Sequence, residues 1–582
     1  MTHRPRGSRR RWILPLVWTG LGVAAVAAVT AVTAVTALIP MTQADFHLPG
    51  TQIGDVPKGV LGTSDECRTC HGDFDVEDEP WATWAGSLMG LAGRDPLFFA
   101  QMTTANQDVA NVGTFCLRCH VPMSYVTGHA SDPTGGSLDE VDRDGVTCHF
   151  CHSQVDPVYV AGQSPAEDAA ILAALAEVPT SYGNAMFVLD PQGVRRGPYS
   201  DTDAIHETID SPFHRSGDMC GTCHDVGNVA VSKLPNGTYR YNLLDQPTPD
   251  ANPWMQFPLE RTYTEWKLSE FAATGVDLGG RFGGTGGPVV ETCQDCHMPK
   301  TTAKGCFFGR ERTDLARHEF AGAAAPVLDL ILEHQADNPI VDPALIQAAR
   351  ARSVSMLRRS ATLDLVQDGA ELVVRVTNQS GHKLPTGHIE GRRVWIHVRF
   401  FDAAGAVAGE HGHYDSAEAH LDEASTTVFE MHVGLSDDAA GDTGFPPGIT
   451  THMALADTII KDNRIPPRGF SNAAFEAGGA PPVGAVYADG QYWSDSRFAV
   501  PAAAVRAEAE IYYQNTPRHY IEALRDGNVT DDWGQTLHDL WTATGRGAPI
   551  EIARRAIPLG VEAIFADGFE SGYTTAWSTT AP

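Results

Sequence analysis

Ten of the chain's eleven cysteines fall into five copies of one pentapeptide, C-x-x-C-H. They are Cys67-Arg-Thr-Cys70-His71, Cys116-Leu-Arg-Cys119-His120, Cys148-His149-Phe150-Cys151-His152, Cys220-Gly-Thr-Cys223-His224 and Cys293-Gln-Asp-Cys296-His297. Composition alone predicts about 0.01 such pentapeptides in a chain of this length, so the repetition has a chemical cause. Two residues between the thiols let both sulfurs reach the two vinyl groups on one edge of a porphyrin. The adjacent histidine then lies under the iron. The spacing predicts five covalent haem c groups, tethered by the ten cysteines and gripped by His71, His120, His152, His224 and His297.

Three other chemistries use paired cysteines. Zinc sites join two C-x-x-C knuckles and have no reason to place histidine after every second cysteine. A thioredoxin-type pair occurs once, inside a βαβ context that is absent here. Disulfides suit an exported chain, but they rarely close two-residue loops five times over. Cys306 is left over and reads as a small buried hydrophobe.

An iron held on one side needs a sixth ligand or keeps an open position, and that choice separates a carrier from a catalyst. His214, in Ser211-Pro-Phe-His214, leads the candidates. His318 follows the last attachment site at loop distance. His382, in Asn378-Gln-Ser-Gly-His382-Lys-Leu-Pro-Thr-Gly, sits in a turn between strands and could reach back from a second region. His129 and His206 rank lower, and His149 is constrained within an attachment loop. Met89 would raise the potential of one haem if it ligated; core packing is its more ordinary role.

The elements that must position these residues change character along the chain. Residues 45–325 carry all five motifs and are rich in Gly, Pro and Asp. Helices are expected from Trp81 to about Gln107 and over 165–177. Asp142-Arg-Asp144-Gly145 resembles part of a calcium loop but lacks the full ligand run, so it reads as a turn. Residues 326–360 read as a helical connector. Over 361–515 the pattern alternates with period two, as in Glu371-Leu-Val-Val-Arg-Val and Arg393-Val-Trp-Ile-His-Val-Arg-Phe-Phe, which predicts a β-rich, sandwich-like domain. Short C-terminal helices are expected within 516–560, and 561–582 is a short polar and aromatic tail. The expected class is α+β, multidomain, with a loop- and helix-rich multihaem domain ahead of the β-rich one.

The chain has 582 residues, 42% of them hydrophobic, enough for two or three cores. Its formal charge of −30 lacks the basic footprint that nucleic acid requires and suits cationic patches on redox partner proteins. Arg4, Arg6, Arg9, Arg10 and Arg11 precede an apolar run from Trp12 to about Pro40. Residues 1–44 therefore read as a signal peptide cut near Thr42-Gln43-Ala44, or as an N-terminal membrane anchor, which the length favours. Either outcome exports the remainder to the periplasmic or cell-surface side.

Residues 60–325 resemble the cytochrome c554/c-prime-like multihaem family. The likeness rests on Phe115-Cys-Leu-Arg-Cys-His, Asp144-Gly-Val-Thr-Cys-His-Phe-Cys-His, Ser211-Pro-Phe-His-Arg-Ser, Cys220-Gly-Thr-Cys-His-Asp225, Glu260-Arg-Thr-Tyr-Thr-Glu-Trp266 and Cys293-Gln-Asp-Cys-His-Met-Pro299. Gly381-His-Lys-Leu-Pro-Thr-Gly-His-Ile-Glu-Gly-Arg-Arg392 also resembles a segment that follows haem domains in multihaem cytochromes. The resemblance implies periplasmic electron transfer through closely packed haems, often with two histidines per iron. Where such proteins place Ser-x-His after a tryptophan, this chain has Ser87-Leu-Met89, so the resemblance leaves that iron's ligand open. The first expectation is an electron carrier. The alternative is a multihaem oxidoreductase acting on a small nitrogen or sulfur oxyanion at one open haem.

Overall fold

A computed structural model of the protein describes residues 36–560. Residues 1–35 and 561–582 lie outside the described residues, and with them most of the expected N-terminal segment and the whole tail. No helix among the described residues is long and apolar enough to cross a membrane. Part of the expected leader belongs to the fold. Ile39 donates to the Asp108 carbonyl at 2.9 Å, and Ile39 and Met41 are buried. Their apolar side chains fill a core, so the folded chain starts earlier than residue 45.

The motif region is built from short helices joined by long turns. Four of the five attachment helices begin at a Ser or Thr whose side chain accepts a backbone N–H of the first turn: Thr63, Thr147, Ser216 and Thr292. Thr63 with Glu66, and Thr292 with Asp295, close reciprocal capping boxes. A helical turn puts the two cysteines (i, i+3) and the histidine (i, i+4) on one face, so each cap aims one motif.

The expected helix over 81–107 is divided. A first piece, Pro80–Ala85, stops at Gly86, where a Cβ would come 2.1 Å from the Leu345 carbonyl oxygen. The second, Pro96–Asp108, restarts behind Asp95, which caps Leu97 N–H, with Pro96 in the first turn. Crossing by the helix Pro343–Arg359 forces the break.

The later region is a sandwich of two antiparallel sheets. Strands β1 (Ala361–Asp368), β2 (Glu371–Asn378) and β3 (Arg393–Phe401) are followed by β4 (Val407–His411), β5 (Val428–Leu435), β6 (Thr458–Asp462), β7 (Trp493–Ala499), β8 (Arg506–Gln514) and β9 (Ile550–Pro558). One sheet runs β1-β2-β7. The other runs β5-β3-β8-β9, with β4 also on β3 and β6 on β5. Alternation decides which face is which. Val394, Ile396, Val398 and Phe400 of β3 join Leu372, Val374 and Val376 of β2 in one buried core, while His397 and Arg399 face outward.

The short helices expected within 516–560 are Arg518–Gly527 and Trp533–Ala543; the chain then passes Gly545-Arg546-Gly547, all at positive φ, and β9, which the sequence did not single out, pairs with β8. Ile550-Glu-Ile-Ala alternates with period two, and the sheet edge takes it. The shift from motif region to β region is also a change of secondary structure within one unit beginning at Ala37. Val229, Val231 and Phe257 share a core with Met431, Val433 and Leu455.

Candidate functional site

The eleven cysteines form no disulfide. Thiols from different motifs meet instead. Cys67 lies beside Cys148, Cys119 beside Cys223, and Cys220 beside Cys293. Cys151 lies close enough to Cys220 to feel its charge. The motifs thus connect in the order first, third, fourth, fifth, with the second joined to the fourth. Among the described residues, groups of three converging metal-ligating side chains occur at His397/Glu410/His413 and His129/Asp139/Asp142 and not at the motifs. That is not the geometry of zinc knuckles.

The histidines carry the fit to haem. Two imidazoles gripping one metal from opposite sides, with bonds of about 2 Å, place their ring centres roughly 6–6.5 Å apart. His71 faces His206 at 6.4 Å, His152 faces His318 at 6.1 Å and His297 faces His382 at 6.4 Å. In all six rings Nδ1 reaches a backbone carbonyl, and His206 Nδ1 also meets Thr208 Oγ1 at 3.1 Å. His71 bonds Gly305 (2.5 Å), His206 bonds Glu207 (3.3 Å), His152 bonds Arg196 (2.7 Å), His318 bonds Ala316 (3.1 Å), His297 bonds Ala321 (2.6 Å) and His382 bonds Lys383 (3.0 Å). Such a bond fixes the tautomer, orients the ring and leaves Nε2 as the free donor. Burial pushes His318 down to about 3 and His382 to about 4, so both are neutral imidazoles, the ligating form.

His214 is placed differently. Its ring lies 5.8 Å from His152, but its Nε2 bonds the Cys151 carbonyl at 3.1 Å and its buried Nδ1 has no partner. Met89 enters the fold through its carbonyl, which accepts from Val146 N–H at 2.9 Å. His129 is engaged at both nitrogens, by Asp142 and Lys58, and so is His149, by Gly62 N–H and the Gly193 carbonyl. Cys306 is half-buried. His206 ranked low in the sequence because nothing around it repeats. Its placement comes from the tertiary fold, opposite a motif that precedes it by 135 residues.

The second and fourth motif histidines have other company. His120 stacks on Phe98 at 3.7 Å, and its buried Nδ1 has no partner. His224 Nδ1 meets a carboxylate, Glu260, at 3.1 Å. Burial would raise Glu260, but the hydrogen bond to His224 and the charges of His224, Arg392 and His388 outweigh it and bring Glu260 to about 2. His388, which sequence reasoning passed over, is itself pushed to about 4 by burial and by Arg392, and its charge is felt at His120. Its signal was available: it shares one turn-rich segment with His382.

That segment is held by a buried ionic network. Lys383 pairs with Asp462 at 2.7 Å, and Arg464 bridges Asp462 (2.7 Å) and Glu265 (3.2 Å). Glu265 also accepts from Lys383 N–H at 3.0 Å and Thr386 Oγ1 at 2.7 Å. Glu265 belongs to the motif region, so the network docks the His382–His388 turn of the β region onto the motifs.

No family model matches the chain, and no curated protein does. Among solved structures it is similar to a penta-heme cytochrome c552 from Thermochromatium tepidum, at 17% identity over 86% of this chain and 99% of that one, with a TM-score of 0.46.

Proposed function

We propose that this chain is an exported pentahaem c-type cytochrome that passes electrons along five closely set covalent haems. The single observation carrying this is the set of three opposed histidine pairs, each with both Nδ1 atoms tied to backbone and both Nε2 atoms free. When bound, haem iron supplies a one-electron couple. The chain's contribution is position and tuning. Ten cysteines tether, caps aim the motifs, backbone carbonyls orient the imidazoles, and the closeness of cysteines from different motifs sets neighbouring centres close. The charge of −30 favours redox partner proteins with cationic patches and disfavours nucleic acid. The arginine-rich start and apolar run support export to the periplasmic or cell-surface side, with a cleaved leader or a retained anchor.

The test is the mass and spectrum of protein matured in a host competent for haem attachment. Five haems should survive acid-acetone extraction, with at least three low-spin irons. A colourless product of bare peptide mass would overturn the proposal.

The surroundings of His120 and His224 favour a second reading. Glu260, His388 and Arg392 bring a carboxylate, a neutral imidazole and a cation to one neighbourhood, which suits an oxidoreductase acting on a small nitrogen or sulfur oxyanion. A high-spin iron whose spectrum shifts with nitrite or hydroxylamine supports it; five six-coordinate irons exclude it.

A further inference from the structure

Outside the cysteine motifs, the outward face of the larger sheet carries a convergence of ligating groups. His397 Nε2 lies 2.9 Å from Glu410 Oε1, and His413 Nδ1 lies 3.1 Å from the same oxygen. Ligand atoms on one metal with bonds of 2.0–2.1 Å stand roughly 3.0–3.3 Å apart. The two imidazoles and the carboxylate already have that spacing, and all three donor atoms lie within 4.8 Å of one another.

The fold prepares this arrangement. In the register of β3 with β4, Arg399 opposes Glu410 and Val398 opposes His411, which puts His397 and Glu410 on one face. Beyond β4 the chain turns at Gly412, whose φ is +70° and whose Cβ would stand 2.3 Å from the Ile396 carbonyl oxygen. Only glycine allows that turn, and the turn brings His413 back over Glu410.

A second observation marks His397 as an oriented ligand. Its Nδ1 bonds the buried carboxylate of Glu510 at 2.7 Å, opposite it on β8. A carboxylate behind a histidine fixes the ring and raises the basicity of the other nitrogen, an arrangement typical of metal-bound histidine. Arg399 and Arg554 pair with Glu510 at 2.7 and 2.9 Å, so its charge is compensated. Glu410, by contrast, is bonded by the two histidines, and a divalent cation would take the place of their protons there.

We propose that His397, Glu410 and His413 form a binding site for a divalent transition metal of the zinc class, with Glu510 as the positioning residue behind His397. Two nitrogens and one carboxylate oxygen come from protein. Water completes the shell on the His413 side, which is 60% exposed. The metal clasps the turn after β4 to the face of β3.

The test uses the haem-loaded holoprotein, stripped with chelator, dialysed against zinc and assayed for zinc per chain by elemental analysis, with its own iron as the internal count. One zinc per chain is expected in the wild type, lost at least tenfold in affinity in both His413→Ala and Glu410→Gln, with the haem spectrum unchanged. Glu510→Gln should weaken binding 10–100-fold. His413 is exposed, so its variant folds even if changes at β3 do not. No zinc uptake overturns the proposal. So does uptake undiminished in His413→Ala, or uptake lost in His129→Ala at the other convergence, His129/Asp139/Asp142.

Discussion

Glu260→Gln should raise the reduction potential of one haem and leave the other four nearly unchanged. Three motif histidines pass their Nδ1 proton towards a neutral carbonyl: Gly305, Arg196 and Ala321. His224 alone among the five has a carboxylate there, at 3.1 Å. An iron on the far side of that imidazole stands about 7 Å from the carboxylate, a ring's width plus two bonds. One unit charge at that distance, with an effective dielectric near 20, contributes roughly 2.4 kcal/mol. Glu260 is 17% exposed, and solvent screening reduces this to about 1–2 kcal/mol. For a one-electron couple that is on the order of 40–90 mV. The sign follows from charge: the carboxylate stabilises the more positive ferric state, so glutamine makes reduction easier. Spectroelectrochemical titration of the holoprotein resolves the five couples. Five potentials unchanged within about 20 mV, or a shift spread evenly over all of them, would refute the reasoning.

The other predictions follow from the same contacts. His206→Ala and His318→Ala should each convert one ferric haem to high spin in electron paramagnetic resonance; unchanged spectra would remove those residues as ligands. Lys383→Met leaves Asp462 short of a partner inside the fold, which should cost about 3 kcal/mol and lower the denaturation midpoint. A loss under about 1 kcal/mol would show the network to be dispensable. Burial pushes Glu390 up to about 7 from its ordinary 4.5, so the folded state holds its proton more tightly than the unfolded one. Stability from this group is present below about pH 4.5 and is lost as pH rises through 7, by roughly 3 kcal/mol at most. Glu390→Gln should flatten that slope in pH-dependent melts, and an identical slope would dismiss the group.

The tethering groups and the α+β class were legible because both are local. C-x-x-C-H is a covalent spacing, and the alternation in β1, β2, β3 and β8 is written in consecutive residues. The breaks were not local. Gly86 looks tolerable inside a helix until Leu345, some 260 residues away, arrives against it. Ile550–Pro558 was too polar at Arg554 and Arg555 to stand out from the helices before it, and β8 offers the edge on which it becomes a strand. The opposing histidines show the same limit. His382 stood in a turn-rich segment between strands, which hinted at delivery, whereas His206 became visible only when the fold set it across from His71.

The dependence of the fifth centre on the turn at 382–388 has a consequence for biogenesis. The chain reaches His297 some 85 residues before His382, and β3 and β8 of the sandwich come later still. With the proposed ligation, the last-attached porphyrin would wait, half-ligated, until the sandwich closes. A truncation ending near residue 360 would still accept haem at all five tethers but keep one iron in an immature spin state. The optical spectrum of nascent protein would then act as a clock for completion of the C-terminal half.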